Sequence, residues 1–534
     1  IGSNDFHEIL VIGRRAPQCH GGCLLDHTST LRPEMRSVYI LLCIPAVCLA
    51  SVREYSEERA KMVRNEARLS LGGRSELTDK ESAVNDCLMR HKFREIDYGF
   101  DNPRYYNFSH HFFEYMRDIE LSKVYRIIRD MPKGAALHVH DMGILGPDYV
   151  VNITYMDHLY VCFQDGDVKF KFSNKSPKDI CANKWELMSN ARKLSRNITE
   201  FDAKIRAYFT MYTDDPGAVY PTIKESWGVF LKYFGRILPL VTYRPVWEQY
   251  FYDVLKQFRS DNVMYVEVRS LLPNLYELDG TVFPMLVTAM AYKKAIHRFV
   301  RDYPDFYGAK LIFAPSRRID IPKLEEYLQL ARAIKEDMPE EFAGFDLVGQ
   351  EDAGKPLIEF VPQLLEASKD LDYFFHAGET NWYGTLTDDN LYDAILLGTK
   401  RIGHAYALPK HPLLMDEVKK RGIGIEVNVI SNAVLSLVRD VRNHPLSIFL
   451  ARDLPVVLSS DDPGIWEADS LSDDFYVAFV GVANRLEDLR VLKQLALNSL
   501  MYSALSGAAK TEAIVKFNAQ WDQILINSNP KGFK

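Results

Sequence analysis

Two histidines sit two residues apart in 134-GAALHVHDMG-143, inside an otherwise apolar run. On a β-strand, residues i and i+2 face the same side, so His138 and His140 project together. Apolar packing gives no reason for two imidazoles at those places, whereas a metal site does. Three later segments carry related chemistry. His376 and Glu379 stand in 376-HAGE-379, His404 in 403-GHA-405, and Asp461 and Asp462 in 459-SSDDP-463. Each alone has a plain alternative: His376 as a core histidine, the aspartate pair as a helix cap. Gathered at one rim, the four segments point to one site. Zinc takes imidazole nitrogens and carboxylate oxygens, and a catalytic zinc keeps a position for water. His138, His140, His376 and Asp461 offer three nitrogens and one oxygen. Zinc lowers the pKa of its water to about 7, which makes a nucleophile. Glu379, His404 and Asp462 then remain as the acid–base groups of a hydrolytic reaction.

The elements that must position these residues repeat along the chain. Strand candidates are 135-ALHVHD, 262-NVMYVEVR, 309-AKLIFAP, 344-GFDLVGQ, 373-YFFHAGE, 401-RIGHAYA, 422-GIGIEVNV and 455-PVVLSSDDP. Helical stretches such as 322-PKLEEYLQLARAIKED-337 lie between the later ones. Alternating strands and helices predict an α/β protein with a (β/α)8 TIM-type barrel, whose chemistry gathers at the C-terminal strand ends. An open doubly wound sheet competes, but no Gly-rich phosphate loop follows the first strand. The first two strands lie much further apart than the roughly 2–6 residues of an ordinary βα loop. Residues 144–215 therefore read as a subdomain inserted after strand one, and 222-TIKESWGVFLKYFGRILPL-240 as a helix returning to the barrel. Residues 51–105 read as an N-terminal helical arm around Gly72-Gly73. It is either a partner-binding element or a cap on the main domain, which spans 106–525 and leaves a tail at 526–534.

The chain has 534 residues, a formal charge of −7 and a pI near 6.1. That excludes a broadly basic nucleic-acid binder and gives polyphosphate substrates no general attraction. Met35 opens 35-MRSVYILLCIPAVCLAS-51, with Arg36, an apolar run and small residues before a cut after Ala50. Residues 35–50 read as a secretory signal peptide, too short in its apolar part for the ~20 residues of a membrane span. Residues 1–34 then read as an upstream, non-native segment. Past Ala50 the cysteines are Cys87, Cys162 and Cys181. In an oxidising compartment Cys162 and Cys181 form a plausible disulfide worth on the order of 3 kcal/mol, leaving Cys87 odd. Glycosylation triplets start at Asn107, Asn152, Asn174 and Asn197, with Asn174 weakened by Pro177 after its Ser176.

In this order, HVHD, FDLVGQED, HAGE, IGHAYAL and SSDDPG resemble the adenosine deaminase family. The signal peptide, the arm with LGG, the spelling MPKGAALHVHD and the disulfide-bearing insertion resemble its secreted branch, the adenosine-deaminase-related growth factors. The resemblance spans roughly 55–525 and implies the following. One zinc per subunit is held by His138, His140, His376 and Asp461. Glu379 protonates purine N1, His404 orients and deprotonates the water, and Asp462 holds the attacking hydroxide. Gly349 contacts the purine through its backbone, while Asp141 and Trp227 hold the ribose and close the pocket. The reaction converts adenosine, and 2′-deoxyadenosine, to the inosine product and ammonia. A homodimer through the N-terminal helices is implied, as is a cell-surface receptor or glycosaminoglycan partner. The chain departs from relatives at Asn428-Val429, where Cys-Pro is common, and at Ser316, where some carry His; both bear on affinity or substrate preference. Two other readings stand beside this one. The first is a growth-factor-like ligand with catalysis secondary. The second is a related hydrolase acting on adenine or AMP, disfavoured for AMP because no basic cluster awaits a phosphate.

Overall fold

The computed structural model describes residues 51–164 and 166–527. The upstream segment, the signal peptide and the last residues of the tail lie outside the described residues. Eight parallel strands form the centre: β1 Gly134–His140, β2 Val263–Ser270, β3 Ala309–Phe313, β4 Phe342–Phe345, β5 His376–Ala377, β6 Arg401–His404, β7 Gly424–Val427 and β8 Val456–Leu458. β1 to β4 make one sheet in chain order and β5 to β8 a second. Parallel bridges Phe345↔Tyr373 and Val139↔Asp461 join the two sheets along both seams. At the first seam Phe374 N–H donates to Phe345 O at 3.0 Å. At the second, His140 N–H donates to Asp461 O at 3.1 Å and Asp461 N–H to His138 O at 3.0 Å. The eight strands thus meet around a ring, which removes exposed sheet edges and rules out the open sheet. Each strand candidate overlaps one of the eight.

Strands covered on both faces are written as largely apolar runs with no strict alternation. β2 is buried at all of its residues, with Glu267 and Arg269 as its buried charges. Outer helices bury one stripe each. In Ile321–Asp337 the stripe is Leu324, Leu328, Ala331 and Ile334. The Asp320 carboxylate caps that helix by accepting from Lys323 N–H at 3.1 Å, and Pro322 fits its first turn.

After β1 the chain leaves the barrel through a helix at Pro147–Ile153 and a small antiparallel sheet of Leu159–Gln164, Asp167–Phe172 and Glu186–Leu187. Alternation in DVKFKF buries Val168, Phe170 and Phe172. Cys162 and Cys181 are disulfide-bonded across this sheet, with Cα atoms 6.0 Å apart, and Cys87 is free and buried. The sheet packs on helix Ile223–Val241. There Arg236 donates to the Asp167 carboxylate at 2.7 Å and to Tyr208 O at 3.2 Å.

Residues 51–59 open the helix Val52–Leu69 and hold an Arg53–Glu57 pair at 2.8 Å. From Ala60 to Leu69 no residue is buried, and Met62, Val63 and Leu69 are exposed. Helix Asp79–Asp101 behaves differently. Thr78 and Glu81 form a capping box at its start. Lys92 Nζ donates to the carbonyls of Asn484 and Glu487, while Glu81 accepts from Lys493 and from Trp521 Nε1. This second helix therefore packs against the helical segments near the C-terminus. No helix among the described residues is long and apolar enough to cross a membrane.

Candidate metal centre and active site

The C-terminal ends of β1, β5, β6 and β8 bring five imidazole and carboxylate side chains together. His140 Nε2 lies 3.1 Å from Asp461 Oδ1, and His138 Nε2 lies 3.5 Å from the same oxygen. The His138 and His376 rings are 4.5 Å apart and those of His140 and His376 5.3 Å. Donor atoms of His138, His376, His404 and Asp461 all lie within 4.8 Å of one another. His140, Asp461 and Asp462 make an overlapping group. Of the four ligands expected from the sequence, His138, His376 and Asp461 share one donor group whose fourth member is His404, while His140 reaches Asp461 from the overlapping group.

Outside the cluster, two carboxylates aim the imidazoles. Glu426 accepts from His138 Nδ1 at 2.7 Å and Asp346 from His376 Nδ1 at 2.6 Å. With the proton on Nδ1, each ring turns a lone pair inward through Nε2. His138 Nε2 is buried with no hydrogen-bond partner among the described residues. Inward lone pairs around an anionic carboxylate are the donor set a divalent cation such as zinc needs. Arg269 spans both outer carboxylates, donating to Asp346 at 2.8 Å and Glu426 at 2.7 Å. Arg401 bonds Glu426 and Glu267, each at 2.6 Å. Sequence reasoning missed this shell. Its one signal was a charge inside an otherwise apolar buried strand, as Glu426 in the fully buried GIEV of β7.

The backbone is bent to serve the site. His404 (φ +60°) and Asp461 (φ +59°) occupy the left-handed region, uncommon for non-glycine residues and concentrated at functional sites. Gly143 has no room for a side chain, because a Cβ there would overlap the Asp462 carboxylate.

The acid–base groups are buried beside the cluster. Glu351 accepts from the backbone N–H groups of Gly378 at 3.2 Å and Glu379 at 2.9 Å, which fixes the HAGE turn. Burial, then the charges of Asp461 and Glu351, push the Glu379 carboxyl well above the usual carboxylate range. The site thus favours the protonated form of Glu379. Burial and the neighbouring Asp461 likewise push Asp462 up. For Asp461 burial acts upward, but the neighbouring imidazoles of His138, His140 and His404 outweigh it and hold the carboxyl well below its ordinary value. Adjacent carboxylates driven apart in this way are a mark of divided catalytic roles.

Comparison with known proteins agrees with this geometry. A family model described as "Adenosine deaminase" matches residues 203–518, and one described as "Adenosine/AMP deaminase N-terminal" matches 46–128. The chain belongs to the adenosine deaminase family. An "Adenosine deaminase" of Aedes albopictus is 43% identical over 477 residues, covering 88% of each chain. "Adenosine deaminase 2" of Homo sapiens is 39% identical over 496 residues, covering 92% of this chain and 97% of that one. Relatives of that second name reach from zebrafish to Dictyostelium discoideum, and this chain stands on their branch. Solved structures share the fold at lower identity. An N6-mAMP deaminase of Arabidopsis matches with TM-score 0.53 and 17% identity, over 74% of this chain and 99% of that one. An amidohydrolase from Burkhoderia ambifaria with bound Zn gives 0.54 and 18%, over 76% and 94%.

For an adenosine deaminase family member, the remaining residues divide between pocket and elsewhere. A pocket of about 200 Å³ opens above the cluster. Asp141 lines it, with its carboxylate accepting from the Tyr292 hydroxyl at 2.6 Å and from Met142 N–H at 2.7 Å. Trp227, Phe230, Leu231 and Phe234 of helix Ile223–Val241 form an apolar wall, and Gly349 (φ +101°) and Ser316 line the same space. Asn428 and Val429 are in the core and do not line it. Of the departures from the family pattern, only Ser316 thus reaches the pocket. Among the glycosylation triplets, Asn152, Asn174 and Asn197 are exposed and Asn107 is half-buried. The Asn197 side chain also caps helix Ile198–Arg206.

Proposed function

We propose that the protein is a zinc-dependent adenosine deaminase acting outside the cell, adding water to adenosine or 2′-deoxyadenosine and releasing ammonia. The observation that carries this reading is a buried Glu379 carboxyl beside an inward-facing imidazole and carboxylate cluster in one pocket. Zinc held by His138, His140, His376 and Asp461 would supply Lewis acidity and an activated water. Glu379 gives its proton to purine N1, which draws electrons from C6 and opens that carbon to attack. Asp462 accepts a hydrogen bond from the attacking water and holds it against C6. His404 orients the same water. The C6–N bond breaks as one of the water's two protons passes to the amino group, which departs as ammonia; the other restores Glu379, and the water's oxygen becomes the carbonyl of the product. Asp141 receives a ribose hydroxyl, Gly349 the purine, and Trp227 covers the base.

A neutral nucleoside fits better than a nucleotide. Among the described residues, Arg269 is the one Arg or Lys lining the pocket, and both its outer partners are already carboxylates. Assaying adenosine, 2′-deoxyadenosine, adenine and AMP side by side tests this; faster turnover of AMP would overturn it. Glu379→Gln should lower kcat by about 10²–10⁴-fold with zinc retained. His376→Ala should lose zinc and activity together. Equal zinc in the two variants contradicts the assignment of ligand and acid.

The exposed asparagines of the triplets and the Cys162–Cys181 bond support an extracellular setting. Exposed Met62, Val63 and Leu69 support a homodimer through the first helix. Light scattering on Met62→Lys/Val63→Glu should then show monomers. Exposed Lys175, Lys178 and Lys184 on the insertion support a glycosaminoglycan or acidic receptor as an additional partner, which heparin affinity would test.

A further inference from the structure

We infer that Asn432 and His444 fix the tautomer of His404, so that His404 meets the reacting water as a hydrogen-bond donor through Nε2 and not as a base. The argument starts at a backbone amide. Leu446 N–H donates to His444 Nδ1 at 3.0 Å. A backbone N–H can only donate, so Nδ1 is bare and the proton of this ring is on Nε2. That nitrogen lies 2.9 Å from Asn432 Oδ1 and donates to it. The amide is thereby oriented, because its reverse would set an NH2 group against an N–H. Asn432 Nδ2 then lies 3.0 Å from His404 Nδ1. An amide NH2 can only donate, so His404 Nδ1 accepts and its proton is on Nε2. Nε2 is the nitrogen turned toward the metal cluster, 3.8 Å from Asp461 Oδ2.

All three side chains are buried, so water does not compete for these bonds. Asn432 rides on helix Val429–Val434, and the His444 ring is wedged edge-on against Tyr406 at 5.6 Å. The relay runs from a rigid backbone group to a catalytic imidazole through two positioning residues. Its consequence is chemical. An Nε2–H has no lone pair to take a proton, so His404 acts on the water as a donor only. The Nε2–H donates to the oxygen as negative charge grows on it, and one such preorganised donor is worth about 10²–10³ in kcat. This rests on the deaminase reading above.

The direct test is a two-bond 1H–15N correlation spectrum of the zinc-loaded full chain carrying 15N-histidine. His404 is assigned by its absence from His404→Gln. An Nε2–H pattern is expected; an Nδ1–H or doubly protonated ring overturns the inference. The functional test compares two variants of similar size. His444→Glu offers only acceptors, so the Asn432 amide turns over and moves the His404 proton to Nδ1. His444→Gln keeps a donor at that place. His444→Glu should lose about 10²–10³-fold in kcat, with KM and zinc content unchanged, and His444→Gln should recover most of it. Equal kcat in the two overturns the role of the relay. If His444→Glu does not fold, the wild-type spectrum decides alone. Absence of adenosine turnover by the wild type would defeat the deaminase reading and leave the tautomer untouched.

Discussion

Glu426 is one carboxylate shared by three buried partners: His138, Arg269 and Arg401. Burial acts to raise its pKa, but the two guanidinium groups outweigh that and hold it well below the carboxylate range. Taking such charges out of water is costly, and leaving one unpaired costs on the order of 3–5 kcal/mol. Glu426→Gln keeps the shape and loses the charge. The new amide must set an NH2 against a guanidinium or against His138, which then gives up its Nδ1 proton and turns an N–H toward the metal. Zinc affinity should fall about 10–100-fold in chelator competition. An unchanged affinity would mean that the outer carboxylate does not aim the ring. Glu379 makes the contrasting prediction. Its carboxyl is pushed up by burial, and its protonated form is the working acid. As pH rises through that pKa the acid is lost, so kcat should fall on the alkaline side. Glu379→Gln, with no proton to lose, should show a low rate without that limb.

At the scale of elements, the rim is assembled by turns that accept no substitution. β1 runs into Gly143, whose missing side chain leaves room for Asp462 beyond β8. Gly143→Ala should move Asp462, lowering kcat for adenosine at least tenfold with zinc content held, since one added methyl in a packed site costs about 1–3 kcal/mol. A variant of wild-type rate would show that Asp462 has freedom the packing does not suggest. The strands themselves were legible because doubly covered strands are written as apolar runs, and 262-NVMYVEVR became β2 almost residue for residue. The ligands were legible because two imidazoles in such a run have no packing purpose. The outer shell was not legible, although Glu426 and Asp346 stood in stretches that were read as strands. A lone charge in an apolar run says nothing of its partner, and Glu426 meets His138 across 288 positions. The Asn432–His444 relay lay in segments with no pattern at all. The seams were equally invisible. Segment 373-YFFHAGE reads as a full strand, yet only His376–Ala377 is regular and the ring closes there on a single bridge.

At the scale of the whole molecule, the insertion and the pocket are mechanically joined. The disulfide-bearing sheet packs on helix Ile223–Val241 through Asp167 and Arg236, and the far end of that helix is tied by the Tyr276 hydroxyl donating to Pro239 O at 2.6 Å. Tyr276 also receives Phe172 N–H from the sheet at 3.1 Å. The same helix carries Trp227, Phe230, Leu231 and Phe234 into the pocket wall. Order in the insertion therefore sets where that wall stands. The Cys162–Cys181 bond closes a loop with a sequence separation of 19, which restricts the unfolded chain by about 3 kcal/mol. Cys162→Ser/Cys181→Ser should loosen the sheet first and the helix after it. None of the metal ligands or acid–base groups lies on either, so kcat and zinc content should hold. The substrate must then order the wall as it binds, and that cost appears in KM. A lowered Tm with a several-fold higher KM for adenosine is the expected result, read by thermal unfolding and steady-state kinetics on the same samples. A lowered Tm with KM unchanged would show that the barrel alone holds the helix, and that the insertion is free to serve a partner without touching catalysis.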